Sequence, residues 1–205
     1  MRLDHLVYGV PDLAQGIGSL EVQTGVRARF GGQHPGRGTH NALLSLGVRR
    51  YLEIIAIDPE QAGAAGLLFP ELRTLAQPRL IAWAVAVDNL AEVVKRAKAA
   101  HIETVGPLQG SRAQADGSLL AWRTLRLISA SLVGLPFFIE WGSAAHPSET
   151  SPSGCSLTSF RIEHSAPEAL SRALTSLNVE IPVITGSHVR LAAQLSSPKG
   201  EFALA

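Results

Sequence analysis

The stretch LDHLVYGVPDL, residues 3–13, decides the fold of this chain, because it reads as a strand that runs directly into a helix. Its apolar side chains alternate with a second set that includes His5, which is the two-residue period of a strand with two different faces. Pro11 ends the strand because it cannot donate a ladder hydrogen bond, and Asp12 is a suitable N-cap for the helix. The stretch therefore predicts a β-α unit.

The same strand–turn–helix pattern recurs twice further along the chain. Aligning VPDL at residues 10–13 with VDNL at residues 87–90 places the stretch IAWAVAVDNL beneath the opening one, with Ala82 opposite His5. A fainter copy, SFRIEHSAPEAL, occupies residues 159–170. Self-similarity of this kind predicts a chain built from repeated modules.

Working outward from these openings divides the chain into units. In the first, the β-α unit is followed by a short strand, the glycine-rich loop GGQHPGRG and two more strands, in the order β-α-β-β-β. The predicted fold class is α+β, with two paired modules of this kind and a partial third module. The predicted units are a first module at residues 1–57, a connecting segment at 58–78, a second module at 79–142, a linker at 143–155 and the partial third module at 156–205.

Composition limits the classes of function. The chain has 205 residues, 46% of them hydrophobic, and its 18 basic and 17 acidic residues give a net charge of +1, which favours neither nucleic acid nor an anionic membrane as partner. Cys155 is the single cysteine, so a cytoplasmic protein without disulfides is expected. No apolar run approaches the roughly 20 residues of a membrane helix, and the N-terminus does not read as a signal peptide. A homodimer is left open.

Two glutamates lie inside short, strongly apolar strands. Glu53 stands in YLEII, and Glu140 stands in FFIEW. A carboxylate in such a strand is costly unless it is paired, bound to a metal or facing a polar cavity. With His5 the two acids form a suitable donor set for Fe, Mn, Ni or Zn. The alternatives are a hydrogen-bonded histidine, and acids at a strand edge or paired with an arginine such as Arg126.

Other residues are candidates for binding a substrate. The stretch GGQHPGRGTHN offers backbone N–H groups, Arg37 and the Asn41 amide, which suit a carboxylate or phosphate. An ordinary hairpin loop with glycine-enabled turns is the alternative. In the second module, Trp122 and Arg126 share one strand face, where Trp122 would stack on a substrate and Arg126 would pair with an acid.

The stretches DHLVYGVPDL, GGQHPGRGTHNALLSLG and YLEII together resemble the glyoxalase-like branch of the vicinal oxygen chelate superfamily. The resemblance implies paired modules whose curled mixed sheets surround a cleft, which often holds a divalent metal bound by the first and fourth strand of each module. Carried over by position, His5 and Glu53 match the first ligand pair and Glu140 matches the acid of the second. Ala82 stands at the remaining ligand position and cannot bind a metal.

These features predict a metal-dependent lyase, isomerase or dioxygenase that acts on a small oxygenated substrate. The metal would act as a Lewis acid, and Glu140 would move a proton as general base. The alternative is a metal-free protein that binds or sequesters a small molecule in the same cleft. Ala82 favours the binding protein, whereas the two strand glutamates favour the enzyme.

Overall fold

The computed structural model describes residues 1–61, 63, 66–113 and 119–205. The strands are β1 (Arg2–Gly9), β2 (Arg29–His34), β3 (Thr39–Ser45), β4 (Tyr51–Ile57), β5 (Arg79–Ala86), β6 (Glu103–Ala113), β7 (Leu119–Ile128), β8 (Phe137–Glu140), β9 (Ser156–His164), β10 (Val183–Thr185), β11 (Arg190–Ser197) and β12 (Gly200–Leu204). The helices are α1 (Leu13–Thr24), α2 (Leu90–Ala99), α3 (Pro147–Thr150) and α4 (Pro167–Ser176), with 3-10 turns at Pro59–Gln61 and Pro70–Thr74.

Strands β1 to β8 form one strongly curled sheet in the order β2-β3-β4-β1-β5-β8-β7-β6. The first strands of the two β-α-β-β-β units, β1 and β5, pair antiparallel at its centre. Each unit then continues outward with its fourth, third and second strand. The α+β class with two paired β-α-β-β-β units is therefore confirmed.

The two long helices of the paired units begin at equivalent caps. The Asp12 side chain accepts a hydrogen bond from the backbone N–H of Gln15 at 2.8 Å, and the Asn89 side chain accepts one from Ala91 at 2.9 Å. Such caps satisfy N–H groups that the first helical turn leaves without partners. Gly25 ends α1 with a φ of 79°, a left-handed conformation that glycine adopts without a Cβ penalty.

The main apolar core lies on the helix-facing side of the curled sheet. Alternate residues of the central strands, such as Leu6, Leu52, Trp83 and Phe138, are fully or almost fully buried in it. The other residues of the same strands face the opposite side of the sheet, because successive side chains of a strand alternate. That opposite side is where the cleft described below lies.

The C-terminal part forms a second sheet in the order β10-β9-β11-β12. Its strand β9 carries Phe160, whose ring lies 5.3 Å from that of Trp83 in β5, so the second sheet shares the main core. The backbone N–H of Leu80 also donates to the Ala205 carbonyl at 3.0 Å. No helix in the described part of the chain is long and apolar enough to cross a membrane.

Two segments differ from the sequence prediction. The first half of the glycine-rich stretch belongs to strand β2, where Gln33 pairs with His40 and His34 pairs with Thr39 of β3. The predicted linker contains α3, and it is fastened to β3 because the Ser45 N–H donates to the Pro152 carbonyl at 2.9 Å. Cross-strand pairing and burial therefore order stretches whose composition alone indicated loops.

Candidate functional site

The side of the curled sheet that faces away from the main core lines a cleft of about 300 Å³. Both β-α-β-β-β units contribute to it. Its polar and aromatic walls include His5, His34, Arg37, Asn41, Tyr51, Glu53, Phe69, Trp122, Arg126, Phe137 and Trp141. A concave site with aromatic walls and a few converging polar groups is typical of small-molecule binding.

The cleft brings together most of the residues selected from the sequence. His5 and Glu53 lie at its base, where both are largely buried. Asn41 also lines it, as do Trp122 and the exposed Arg37 and Arg126. Glu140 does not line this cleft.

Glu140 points to the other side of the sheet, which corrects the prediction that it shares a site with His5 and Glu53. Its neighbours Ile139 and Trp141 line the cleft, so the alternation of β8 turns Glu140 away from it. Oε1 of Glu140 pairs with Nη2 of Arg123 at 2.5 Å, and Oε2 accepts from the Leu90 N–H of α2 at 3.3 Å. Glu140 is thus an ion-pair and helix-cap residue.

Strand register explains why the two glutamates are not equivalent. The Val10 N–H donates to the Ile55 carbonyl at 2.9 Å, and in the second unit the Val87 N–H donates to the Ile139 carbonyl at the same distance. Ile139 therefore corresponds to Ile55. Glu53 precedes Ile55 by two residues, so its counterpart is Phe137. The second unit thus has an aromatic ring where the first has a carboxylate.

The base of the cleft is organised by Asp4, which is fully buried. Its Oδ1 lies 2.6 Å from Nδ1 of His5. Its Oδ2 lies 3.0 Å from the indole Nε1 of Trp141 and 3.0 Å from Nε2 of His146. A carboxylate that accepts from three ring N–H groups is well satisfied despite its burial.

These contacts keep Asp4 ionised. Burial would by itself raise the pKa of the Asp4 carboxyl, but hydrogen bonds from His146 and His5 and their electrostatic attraction outweigh it, so its pKa lies well below the usual range. An ionised Asp4 accepts a hydrogen bond from Nδ1–H of His5, so Nε2 of His5 carries no proton when that ring is neutral. The His5 ring is also stacked on Tyr51, with centroids 4.4 Å apart, and Phe137 meets it edge-on at 5.4 Å.

Glu53 faces the free nitrogen of this ring. Its Oε2 lies 3.8 Å from Nε2 of His5, too far for a direct hydrogen bond but close enough for strong electrostatic attraction to a protonated imidazole. Its Oε1 accepts from the Asn41 amide at 2.6 Å and lies 3.7 Å from Nε2 of His34. Nδ1 of His34 lies 2.9 Å from the Thr39 hydroxyl. The base of the cleft therefore holds two imidazoles around one carboxylate.

Sequence reasoning missed three residues of this centre. Asp4 directly precedes His5, and adjacent strand residues normally face opposite sides, but the pairing of β1 with β5 shifts register between Leu3 and His5. His34 falls in a stretch whose composition predicts a loop, and His146 falls in the predicted linker. The run HPGRGTHN at residues 34–41 indicated that His34 lies near the site, since a hairpin over this run brings His34 close to Asn41.

The mouth of the cleft carries two guanidinium groups. Arg37 and Arg126 both line it and make no salt bridge with a residue in the described ranges. Leu68 contacts both residues, because its N–H donates to the backbone carbonyl of Arg37 at 3.2 Å and its carbonyl accepts from Nη1 of Arg126 at 3.5 Å. Two cations without a described anion favour an anionic group at this end of the cleft.

Two paired β-α-β-β-β units that share one curled sheet around a cleft define a protein of the vicinal oxygen chelate superfamily. A family model described as a glyoxalase-like domain matches residues 3–178. The chain therefore belongs to the glyoxalase-like family, as its sequence motifs predicted. No curated protein matches the sequence.

Solved structures with the same fold include proteins of very low sequence identity. A hypothetical protein from Staphylococcus aureus has a TM-score of 0.69 at 18% identity, over 98% of this chain and 84% of that chain. A hypothetical protein from Bacillus halodurans has a TM-score of 0.52 at 17% identity, over 70% and 96%. A methylmalonyl-CoA epimerase variant from Streptomyces coelicolor, in complex with 2-nitronate-propionyl-CoA, has a TM-score of 0.51 at 14% identity, over 72% and 99%.

Members of the superfamily often bind a divalent metal. His5 and Glu53 supply the first unit's pair, but Ala82 and Phe137 leave the second unit without a donor. In the described ranges, no group of three or more His, Cys, Asp or Glu side chains is arranged to hold a metal ion. The Asn41 amide also occupies Oε1 of Glu53. With Glu140 turned away from the cleft, the residues present therefore do not fit the three-donor site of His5, Glu53 and Glu140 predicted for Fe, Mn, Ni or Zn.

Proposed function

We propose that this protein is an isomerase or lyase that moves a proton at a carbon atom next to a carbonyl group of a small anionic substrate. The observation that carries this proposal is the placement of His5 between two carboxylates. Asp4 holds Nδ1 of its ring, while Nε2 faces Glu53 at the base of the cleft. A histidine whose ring is held in one tautomer by a carboxylate is suited to act as a general base.

In the proposed reaction, Nε2 of His5 takes the proton from the substrate carbon, and the C–H bonding electrons form an enolate. The imidazolium that results lies between the carboxylates of Asp4 and Glu53, which stabilise its positive charge. The proton then returns from His5 to a different atom of the enolate, which is isomerisation. Alternatively, the enolate electrons expel a leaving group, which is the lyase outcome.

The cleft walls support an anionic, partly flat substrate. Arg37 and Arg126 would hold its carboxylate or phosphate at the mouth, and the Trp122 ring would cover its apolar part. The cleft of about 300 Å³ suits a small substrate. The epimerase from Streptomyces coelicolor binds a CoA thioester in a similar fold, so a CoA thioester is one substrate to test.

The metal-dependent version of this function requires donors that Ala82 and Phe137 do not supply. Dioxygenase chemistry depends on such a centre, because a redox-active metal is what activates oxygen. Proton transfer does not require a metal, since a histidine side chain such as His5 can itself act as the base. Isomerase or lyase chemistry is therefore the reaction type that these side chains support best.

The experiment is proton–deuterium exchange followed by ¹H NMR in D₂O. The probes are 2-oxobutanoate, dihydroxyacetone phosphate and methylmalonyl-CoA, each with a C–H bond next to a carbonyl and an anionic group. We expect the protein to accelerate loss of that C–H signal for at least one probe. Binding of a probe without any acceleration of exchange would contradict the proposal.

A metal-free binding protein is the second candidate function. The observation that favours it is the replacement of both ligand positions of the second unit by Ala82 and Phe137, of which Phe137 lines the cleft with an aromatic ring. Such a protein would bind a probe with a measurable Kd and leave its C–H signal unchanged. The exchange experiment thus separates the two candidates.

A further inference from the structure

The segment that follows β8 returns to the base of the cleft and reaches Asp4. His146 directly precedes α3 and is fully buried, and its Nε2 lies 3.0 Å from Oδ2 of Asp4. The indole Nε1 of Trp141 lies 3.0 Å from the same oxygen. Two residues of this segment therefore contact the carboxylate that holds His5.

The hydrogen-bond partners of His146 fix the direction of its contact with Asp4. The backbone N–H of Ser148 donates to Nδ1 of His146 at 3.2 Å, so Nδ1 is an acceptor. A neutral imidazole with an accepting Nδ1 carries its hydrogen on Nε2. His146 therefore donates to Asp4, as the Trp141 indole must, because its N–H is a donor only.

The two oxygens of Asp4 consequently have separate partners. Oδ2 accepts from Trp141 and His146, and Oδ1 is left to Nδ1 of His5. A buried carboxylate with fully engaged oxygens has little freedom to rotate. If one donor to Oδ2 is removed, the Asp4 carboxylate can rotate, and its Oδ1 can then move away from Nδ1 of His5.

We propose that His146, together with Trp141, is a positioning residue for His5. Its Nε2–H anchors Oδ2 of Asp4, which keeps Oδ1 on Nδ1 of His5 and leaves the Nε2 lone pair of His5 at the cleft. The inference rests on the proposed function, since it gives His146 a part in the orientation of the base. It also assigns a role to a segment that composition alone marks as a linker.

His146 has a structural role as well, and two substitutions separate the roles. Its ring lies among aromatic neighbours, 5.6 Å from Tyr51 and 5.5 Å from Trp141, and its Nδ1 caps α3. H146N places its amide near the position of Nδ1, so it retains the cap and loses the contact with Asp4. H146Q reaches the position of Nε2, so it retains the donor to Asp4 and loses the cap.

The experiment is long-range ¹H–¹⁵N NMR on the ligand-free protein, which reports which nitrogen of His5 carries the proton. The His5 signals are assigned by their loss in H5Q. We expect wild type and H146Q to show His5 with its proton on Nδ1 and a downfield Nδ1–H resonance. In H146N that resonance should be lost and the form with the proton on Nε2 should become visible.

His164 provides a matched control, because it is also buried, lies at the end of β9 in the second sheet, and its Nδ1 accepts from the Ala166 N–H just before α4. H164N should leave the His5 spectrum unchanged. If H146N does not fold, W141F removes the other donor to Oδ2 and should shift the His5 tautomer in the same direction.

An unchanged His5 tautomer in folded H146N, or in W141F, would overturn the inference. Because the spectra are recorded without turnover, this result is distinguishable from failure of the proposed function. A tautomer shift in H146N alongside a wild-type protein that exchanges no probe proton would support the positioning role and contradict the enzymatic one.

Discussion

Nδ1 of His5 lies 2.6 Å from Oδ1 of Asp4, although the two residues are neighbours in one strand. Neighbouring side chains of a regular strand face opposite sides, so the contact depends on the register shift between Leu3 and His5. It fixes the His5 tautomer and joins the cleft to a buried, ionised carboxylate. The stability and the proton transfer expected of the cleft therefore depend on the hydrogen bond between Asp4 and His5.

The first prediction concerns stability and pH. The folded protein lowers the pKa of Asp4, so its ionised form stabilises the fold above the unfolded pKa of about 3.9, and this stabilisation decreases as pH falls below that value toward the folded pKa. D4N should lower the free energy of unfolding by about 3 kcal/mol at pH 7. Urea unfolding from pH 7 to pH 3 should show the difference between wild type and D4N becoming smaller. A difference in the free energy of unfolding that stays constant from pH 7 to pH 3 would contradict the stabilising role of ionised Asp4.

The second prediction compares the two strand glutamates. E53Q should slow proton exchange by roughly 10- to 100-fold, because the carboxylate that stabilises protonated His5 is gone. E140Q is the matched control and should leave exchange within about twofold of wild type, since Glu140 lies on the other side of the sheet. It should lower the free energy of unfolding by about 1 kcal/mol through its weakened cap on α2. An equal decrease of the exchange rate in E53Q and E140Q would contradict the placement of Glu53 at the cleft and of Glu140 on the other side of the sheet.

The third prediction tests the cleft mouth. R37A and R126A should each weaken binding of 2-oxobutanoate by about tenfold, because each removes a charge-assisted contact to its carboxylate. The loss should shrink as salt increases, since exposed charges are screened. R123A is the matched control, because Arg123 pairs with Glu140 on the other side of the sheet. Titration calorimetry measures the three Kd values, and an equal effect of R123A would contradict the assignment.

The fourth prediction concerns the metal. Protein purified without chelators should contain well under one equivalent of Fe, Mn, Ni or Zn, because Ala82 and Phe137 provide no ligands. The double variant A82H F137E restores donors at both positions and should bind zinc more tightly than wild type. Elemental analysis with zinc titration measures both. One equivalent of tightly held metal in wild type, lost in H5Q, would restore the metal-dependent hypothesis.

The sequence was sufficient to predict the paired modules. Alternation in β1 and β5 and the caps Asp12 and Asn89 are local features, so each can be read from a few residues. The position of Glu53 at the cleft was predictable for the same reason. Its supposed partner Glu140 was not, because the register of β8 against β5 depends on the lengths of the intervening loops.

The remaining parts of the centre depend on tertiary contacts. Asp4 reaches His5 through a register shift, which composition does not signal. His146 contacts Asp4 although the two residues are 142 positions apart in the sequence. His146 also lies in a stretch rich in Ser, Pro and Thr. These residues have their roles because of burial and hydrogen bonding, and the local sequence pattern predicts neither.

The most direct test of the proposed function is the exchange rate of the best probe in H5Q relative to wild type. H188Q serves as control, since His188 is an exposed histidine that does not line the cleft. Loss of the general base should slow exchange by roughly 10²- to 10⁴-fold in H5Q, with probe affinity changed only severalfold, and H188Q should match wild type. Exchange in H5Q at the wild-type rate would contradict the assignment of His5 as the base.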